Sequence, residues 1–173
     1  KKYHDVFKNG LITEINEVEQ LDLNILNEAY AEEWLAYYQY WIGAKLIAGQ
    51  FKKDIETEFL EHAKEELEHA DMLANRILQL GGTPLINPDD WSKLAKCKYL
   101  SPTQEDSLSL VKQNLASERC AADKYHKICE MCFGKDHETF KIAEHILAQE
   151  LEHEQEMEDF LTDMETAKKY FHS

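Results

Sequence analysis

Residues 54–80 read DIETEFLEHAKEELEHADMLANRILQL, and this stretch decides the fold class. Apolar side chains such as Phe59 and Ile77 recur along it at steps of three and four residues. This spacing is typical of one buried face of an α-helix. Glu66 and His69 fall on the same face, so the predicted helix directs two ionisable side chains toward the core of the protein.

Three other stretches show the same periodicity, and together they predict an all-α four-helix bundle in a single domain over residues 1–173. The chain has only 6 Gly and 3 Pro, so few turns and long helices are expected. The predicted helices span about residues 22–48, 54–80, 103–133 and 136–164. Residues 82–102 form one long connection, with a short helix near 88–95, and can cross the bundle so that helices two and three run parallel.

Composition excludes several classes of function. The chain has 19 Lys and Arg against 34 Asp and Glu, a formal net charge of −15, which argues against a DNA-binding surface and favours cation partners. No apolar run approaches the length that a membrane-spanning helix needs, so no membrane span is expected. Residues 1–10 are mixed and polar and do not resemble a signal peptide. Four cysteines do not make a disulfide framework in a chain of this length, and a cytoplasmic location is expected.

The four apolar faces share an anomaly, because each contains one inward carboxylate: Glu33, Glu66, Glu118 and Glu150. An ionised carboxylate without a partner is costly in a core. The same faces offer no Lys or Arg at that level. Four buried negative charges therefore predict bound dications.

The spacing of these carboxylates predicts one shared site. Glu33 and Glu66 lie almost equally far from Gly49 along the chain, and the second pair lies equally far on either side of Gly134. In an antiparallel hairpin, residues equidistant from the turn lie at the same height. His69 and His153 each follow an inward Glu by three residues, which places both side chains on one helix face.

These spacings give a predicted set of six metal ligands: Glu33, Glu66, His69, Glu118, Glu150 and His153. Four carboxylates and two neutral imidazoles balance two dications, and such an oxygen and nitrogen set suits iron or manganese, with zinc also able to bind. The neighbouring carboxylates are off the apolar faces and are expected to be solvated: Glu32, Glu65, Glu68, Glu152 and Glu154. Cys129 and Cys132 lie on an apolar face and are expected to pack in the core.

The sequence over about residues 23–161 resembles bacterioferritins and Dps-like ferritins. The resemblance is carried by ELEHADMLANRILQLGGTP at residues 66–84, LASE at 115–118 and QELEH at 149–153. It comes nearest to the Dps-like subclass called thioferritin, which joins a Dps-type cage to a bacterioferritin-type metal site. Members of that subclass have a cysteine in the crossover and another two residues after a ligand Glu, which here are Cys97 and Cys120 and imply a disulfide or a thiol pair.

The resemblance implies a ferritin-like fold and roles for the predicted ligands. Glu66 and Glu150 are expected to bridge two irons. Glu33 with His69 would complete one iron, and Glu118 with His153 the other. Tyr40, two turns beyond Glu33, is expected either to hydrogen-bond a ligand carboxylate or donate an electron, or to be an aromatic core residue.

Further expectations concern haem and assembly. Haem-binding bacterioferritins have Met directly after the second-helix Glu, and Leu67 stands there in this chain, so haem is not expected. The sequence predicts no fifth helix, which favours a homo-oligomeric cage of 12 subunits over one of 24.

The function implied is a ferroxidase that oxidises Fe(II) with hydrogen peroxide or dioxygen and stores Fe(III), protecting against oxidative stress. Three alternatives remain open at the level of sequence. The first is a rubrerythrin-like di-iron peroxidase that stores no iron; it would need a rubredoxin-type domain to supply electrons, and these 173 residues do not contain one. The second is a bacterioferritin. The third is a bundle held together by zinc that serves as a non-catalytic interaction module.

Overall fold

A computed structural model describes residues 11–102 and 106–171, and it confirms the predicted all-α bundle. The four long helices are α1 (Leu11–Leu46), α2 (Lys52–Gln79), α4 (Ser107–Cys132) and α5 (His137–Phe171). The crossover between α2 and α4 contains a 3₁₀ turn (Pro88–Asp90) followed by the short α3 (Trp91–Leu94), where a short helix is predicted. Within the described ranges, no helix is both long enough and apolar enough to span a bilayer.

The bundle consists of two antiparallel hairpins, α1–α2 and α4–α5. Gly49 and Gly134 lie in the two turns with φ of +115° and +71°, a region that glycine adopts without the steric cost of a Cβ. The start of α4 lies beside the end of α1, where the Ser107 backbone N–H donates to the Ala48 carbonyl at 3.2 Å. Helices α2 and α4 therefore begin at the same end of the bundle and run parallel, so the crossover returns along its length.

Two hydrophobic clusters fill the core. Cluster one lies toward the Gly49 turn and includes Tyr40, Phe59 and Met157. Cluster two lies toward the Gly134 turn and includes Ile146 and Tyr125, with other apolar side chains from all four long helices. The six predicted ligands lie on the helices between these clusters, so apolar packing on both sides separates them from the two ends of the bundle.

Three helix bounds differ from the sequence prediction. Helix α1 begins at Leu11 and not near residue 22, because residues 11–21 contain no Gly or Pro to interrupt it. Helix α4 begins at Ser107 and not near residue 103, because the Asp106 carboxylate caps it by accepting from the Ser109 backbone N–H at 2.9 Å. Helix α5 continues to Phe171, well beyond the predicted end near residue 164. The predictions for residues 1–10 lie outside the described residues.

Candidate metal centre

The six predicted ligands converge in the middle of the bundle, with exposed fractions between 0% and 2%. Their ligand atoms form two groups of four, each within 4.8 Å. One group has Glu33 and His69, the other has Glu118 and His153, and both groups include Glu66 and Glu150. The geometry therefore has the form of two adjoining half-sites with two carboxylates in common.

The first half-site surrounds the Nδ1 atom of His69. This nitrogen lies 3.3 Å from Glu33 Oε2, 3.3 Å from Glu66 Oε2 and 3.2 Å from Glu150 Oε1. A single ring N–H cannot donate well to three carboxylates, so the arrangement is that of ligands around a common centre and not of one hydrogen bond.

The second half-site surrounds the Nδ1 atom of His153 at slightly longer distances. Glu66 Oε1 and Glu118 Oε2 each lie 3.6 Å from it, and Glu150 Oε2 lies 3.8 Å from it. Glu66 and Glu150 thus direct one oxygen to each half-site, which is the geometry of a carboxylate that bridges two ions.

The outer nitrogen of each histidine is held by a residue that directly precedes a shared Glu. His69 Nε2 lies 3.1 Å from Gln149 Oε1, and His153 Nε2 lies 2.6 Å from Glu65 Oε2. These oxygens accept hydrogen bonds, so each Nε2–H donates, and in the neutral ring the lone pair is on Nδ1. This is the tautomer and orientation that a metal-binding histidine requires.

Two tyrosines secure the outer carboxylates across the bundle. Tyr40 of α1 donates to Glu118 Oε1, and Tyr125 of α4 donates to Glu33 Oε1. Tyr40 therefore makes the predicted hydrogen bond to a carboxylate of the predicted set and also packs in cluster one. Sequence reasoning missed Tyr125 as a site residue, although it follows Glu118 at the same spacing as Tyr40 follows Glu33.

The electrostatics of the cluster match a cation-binding site. Among the described residues, Glu66 Oε1, Glu118 Oε2, both Glu150 oxygens and His153 Nδ1 are buried without a hydrogen-bond partner. Burial and the negative charge of Glu66 raise the pKa of Glu33 to about 8. Burial would lower the pKa of His153, but Glu118 and Glu66 outweigh it and raise that pKa to about 12. Both shifts reflect negative charge concentrated in a buried space, which bound dications would neutralise while displacing any protons from their ligands.

Comparison with known proteins agrees with this geometry. Residues 23–167 match the model of the ferritin-like domain. The chain belongs to the ferritin-like family. It is similar to the DNA protection during starvation protein of Pyrococcus furiosus, at 38% identity over 151 residues, which cover 84% of this chain and 79% of that relative.

Solved structures extend the comparison. This ferritin-like chain is similar to a dodecameric thioferritin of Bacteroides fragilis, described as bacterioferritin-related, with 50% identity and a TM-score of 0.88 over 88% of this chain and 91% of that one. Dps from Thermosynechococcus elongatus, at 23% identity, shares the fold with a TM-score of 0.80 over 84% of this chain and 92% of that one. The resemblance to Dps-like ferritins is confirmed.

The cysteines of this ferritin-like chain fall into two pairs with different surroundings. A disulfide joins Cys97 in the crossover to Cys120 in α4. Cys97 also lines a narrow cavity whose other walls include Glu33 and Glu118, so the disulfide lies on the crossover side of the centre. Cys132 is buried in cluster two with Cys129 packed against it, as expected for core residues.

The prediction that the neighbouring carboxylates are solvated is wrong for Glu32. This side chain is buried, and its Oε1 accepts from the backbone N–H groups of Lys96 and Cys97 at 2.6 and 3.1 Å. Lys124, also buried, lies 3.2 Å from the same oxygen. Glu32 therefore ties the crossover to α1, a role that its position beside an apolar face does not reveal.

For the other four carboxylates the outcome is mixed. Glu65 is only half-exposed, because it holds His153. Glu154 is partly covered by its ion pair with Arg119, at 2.8 Å. Glu68 and Glu152 are exposed, as predicted.

Proposed function

We propose that this ferritin-like chain is a ferroxidase that binds Fe(II) at the buried centre, oxidises it with hydrogen peroxide or dioxygen, and sequesters Fe(III) in a cage of identical subunits. The observation that carries the proposal is the pair of half-sites that share Glu66 and Glu150. A pair of carboxylates common to both half-sites would hold two ions side by side. A site for a single cation would not need carboxylates that face two half-sites.

The donor set fits two irons. Four carboxylates supply four negative charges and two imidazoles add nitrogen ligands, which matches two dications of borderline softness. Glu66 and Glu150 would bridge, while Glu33 with His69 and Glu118 with His153 would complete the two half-sites. Manganese and zinc suit the same donors, and in this proposal they are competitors for iron.

The residues of the chain would hold the ions close together and away from bulk water. Tyr40 and Tyr125 keep the outer carboxylates in position, and Gln149 and Glu65 keep both rings in the ligating tautomer. Two neighbouring Fe(II) ions give up one electron each, so one hydrogen peroxide with two protons becomes two waters. Binding iron would displace any proton from a ligand nitrogen or oxygen, so binding should weaken as the pH falls.

The assembly we propose is a 12-subunit cage. The thioferritin of Bacteroides fragilis, at 50% identity, is described as dodecameric. A cage of this kind would have twelve times the 20.2 kDa mass of one chain, and light scattering can measure that mass.

The name of the Pyrococcus furiosus relative refers to DNA protection. With a net charge of −15, this chain would protect DNA by removing Fe(II) and oxidant and not by binding the phosphate backbone. Haem has no part in the proposal, since Leu67 and not Met follows Glu66.

The decisive variant is Glu66→Ala, which removes a carboxylate common to both half-sites. We expect it to abolish rapid Fe(II) oxidation, followed by stopped-flow absorbance of the Fe(III) product. Glu68→Ala is the matched control, because Glu68 is exposed on the same helix, and it should oxidise iron at the wild-type rate. An undiminished rate in Glu66→Ala contradicts the assigned site.

Iron loading distinguishes storage from peroxidase activity alone. After repeated aerobic additions, a storage protein retains many more irons per chain than the centre can hold. Retention of only the ions of the centre would instead favour the rubrerythrin-like alternative, and stabilisation by zinc without any iron oxidation would favour the interaction module.

A further inference from the structure

A second cluster of ligating side chains lies on the α2–α5 side of the bundle, next to the metal centre. His62 Nε2 lies 2.7 Å from Glu156 Oε2 and 3.5 Å from Glu58 Oε1, and one ligand atom from each residue falls within 4.8 Å of the others. The His62 side chain is 1% exposed, whereas those of Glu58 and Glu156 are 28% and 37% exposed. A buried imidazole thus lies beneath two carboxylates that reach solvent.

The approximate twofold repeat of the bundle shows that packing does not require this cluster. His69 and His153 occupy equivalent positions in the two hairpins. At the same sequence offset, the position equivalent to each member of the cluster holds an apolar residue. These counterparts all pack in or against cluster two: Ile142, Ile146 and Met72. The equivalent level of the other half is therefore filled with aliphatic side chains.

A buried histidine in place of an isoleucine also lowers the stability of the fold. His62 Nδ1 is buried and has no hydrogen-bond partner among the described residues, and leaving such an atom unsatisfied costs about 1–3 kcal/mol. The aliphatic residue of the other half avoids this cost, so packing alone does not account for His62.

The cluster adjoins the centre without sharing a ligand with it. The His62 ring stacks on that of His153, with centroids 4.0 Å apart and planes inclined by 21°. Glu65, which holds His153, is itself half-exposed. The half-exposed carboxylates, His62 and His153 therefore form a continuous series from solvent to the second half-site.

The surrounding surface is anionic. Glu61 and Glu65 interact electrostatically with Glu58, and Glu152 interacts with Glu156. Within residues 11–102 and 106–171, no lysine or arginine forms an ion pair with Glu58 or Glu156. A field of this sign raises the local concentration of cations.

From this geometry we propose that Glu58, His62 and Glu156 form a third cation site, which binds a divalent transition-metal ion and passes it between the α2–α5 face and the metal centre. One imidazole nitrogen and two carboxylate oxygens are donors suited to Fe(II), Co(II) and Zn(II). Three ligands leave positions for water, so this ion exchanges more readily than those of the centre. Binding stands on the cluster alone, whereas the relay role rests on the proposed ferroxidase function.

The binding test uses Zn(II) with the whole assembled protein. Calorimetry should find about three ions per chain in the wild type and about two in the Glu58→Gln/Glu156→Gln double variant. Both substitutions are at half-exposed positions and keep the side-chain shape, so the double variant should fold. Glu61→Gln, an exposed neighbour on α2, is the matched control and should keep the wild-type stoichiometry.

Anomalous scattering at the zinc edge gives the location. We expect a peak at His62 Nε2 in the wild type and in Glu66→Ala, because the third site does not use Glu66. Absence of that peak in zinc-saturated wild-type crystals, or an unchanged stoichiometry in the double variant, overturns the site. Since Glu66→Ala lacks an intact centre, this result does not depend on the ferroxidase proposal.

The relay role is tested by Fe(II) oxidation kinetics. The double variant should have a KM for Fe(II) raised several-fold with kcat nearly unchanged, because only delivery to an intact centre is impaired. Loss of the third ion together with a wild-type KM overturns the relay.

Discussion

The two halves of the candidate metal centre are built from the same residue types at the same spacings, yet their surroundings differ. An amide, Gln149, holds His69, whereas a carboxylate, Glu65, holds His153. A hydrogen-bonded carboxylate makes an imidazole a stronger ligand than an amide does. The comparison teaches that duplication of the ligands does not make the half-sites equal: the same kind of ion should bind to both with different affinity.

The largest expected effect comes from removing one half-site at a time. Glu33→Gln and Glu118→Gln each retain a hydrogen-bond acceptor for the facing tyrosine but lose the negative charge that binds one ion. Each variant should bind one fewer ion per chain in an anaerobic titration, and both should lose rapid Fe(II) oxidation, because the proposed reaction takes electrons from two neighbouring ions. Glu130→Gln, at an exposed position on α4, is the control. Wild-type rates in either variant would show that one ion suffices.

A smaller effect is expected from exchanging the outer partners of the histidines. Glu65→Gln should weaken binding at the His153 half-site about tenfold, and Gln149→Glu should strengthen binding at the His69 half-site by a similar factor. Competition with a chromophoric chelator measures both affinities. The double exchange should reverse the order of the two half-sites, and an unchanged order would rule out these partners as the source of the inequality.

The parts of the centre differ in how well sequence alone predicts them. The inward carboxylates and histidines are predictable because a charged residue on an apolar face is conspicuous, and because Gly49 and Gly134 fix the height of each pair. The all-α bundle follows from the same periodicity.

The residues around the ligands were harder to predict. Glu65 and Glu32 both lie beside a ligand in the sequence, and whether such a residue is solvated depends on which helix or loop covers it. Tyr125 looks like an ordinary core aromatic until α1 brings Glu33 against it. Such contacts between sequence-distant segments leave no periodic pattern in either segment.

The tyrosines provide a symmetric comparison that is measured as stability and not as metal affinity. Tyr40→Phe and Tyr125→Phe each remove one hydrogen bond to a buried carboxylate, so each should lower the free energy of unfolding of the metal-free protein by about 2 kcal/mol. Urea denaturation followed by circular dichroism measures the loss. Similar losses support equal structural roles, and slower Fe(II) oxidation in Tyr40→Phe alone would support the predicted electron-donor role of Tyr40.

The two hairpin turns also differ. Helix α2 follows Phe51, which provides no side-chain cap. Before α5, Asp136 accepts from the Thr139 backbone N–H at 3.1 Å and from Arg76 of α2 at 2.7 and 2.9 Å. The second turn is therefore fixed by polar contacts that also join the two hairpins. In the first turn, Phe51 instead packs its apolar side chain against cluster one.

The smallest expected effect is at this second turn and depends on pH. Burial alone would raise the pKa of Asp136, but hydrogen bonds from Thr139 and Arg76 outweigh it and lower that pKa. A carboxylate with a lowered folded-state pKa stabilises the fold above its unfolded-state pKa, near 3.9, and loses this contribution as the pH falls through the folded-state value. Asp136→Asn keeps a capping side chain and loses only the charge, so it should cost about 1 kcal/mol at pH 7. The difference from wild type should shrink as the pH falls below about 4, as measured by denaturant unfolding at several pH values. Asp106→Asn is the control: Asp106 caps α4 without an arginine partner, so this substitution should lower the free energy of unfolding by less.

A loss of stability in Asp136→Asn that does not change with pH would show that the shape of the side chain, and not its charge, fixes the turn.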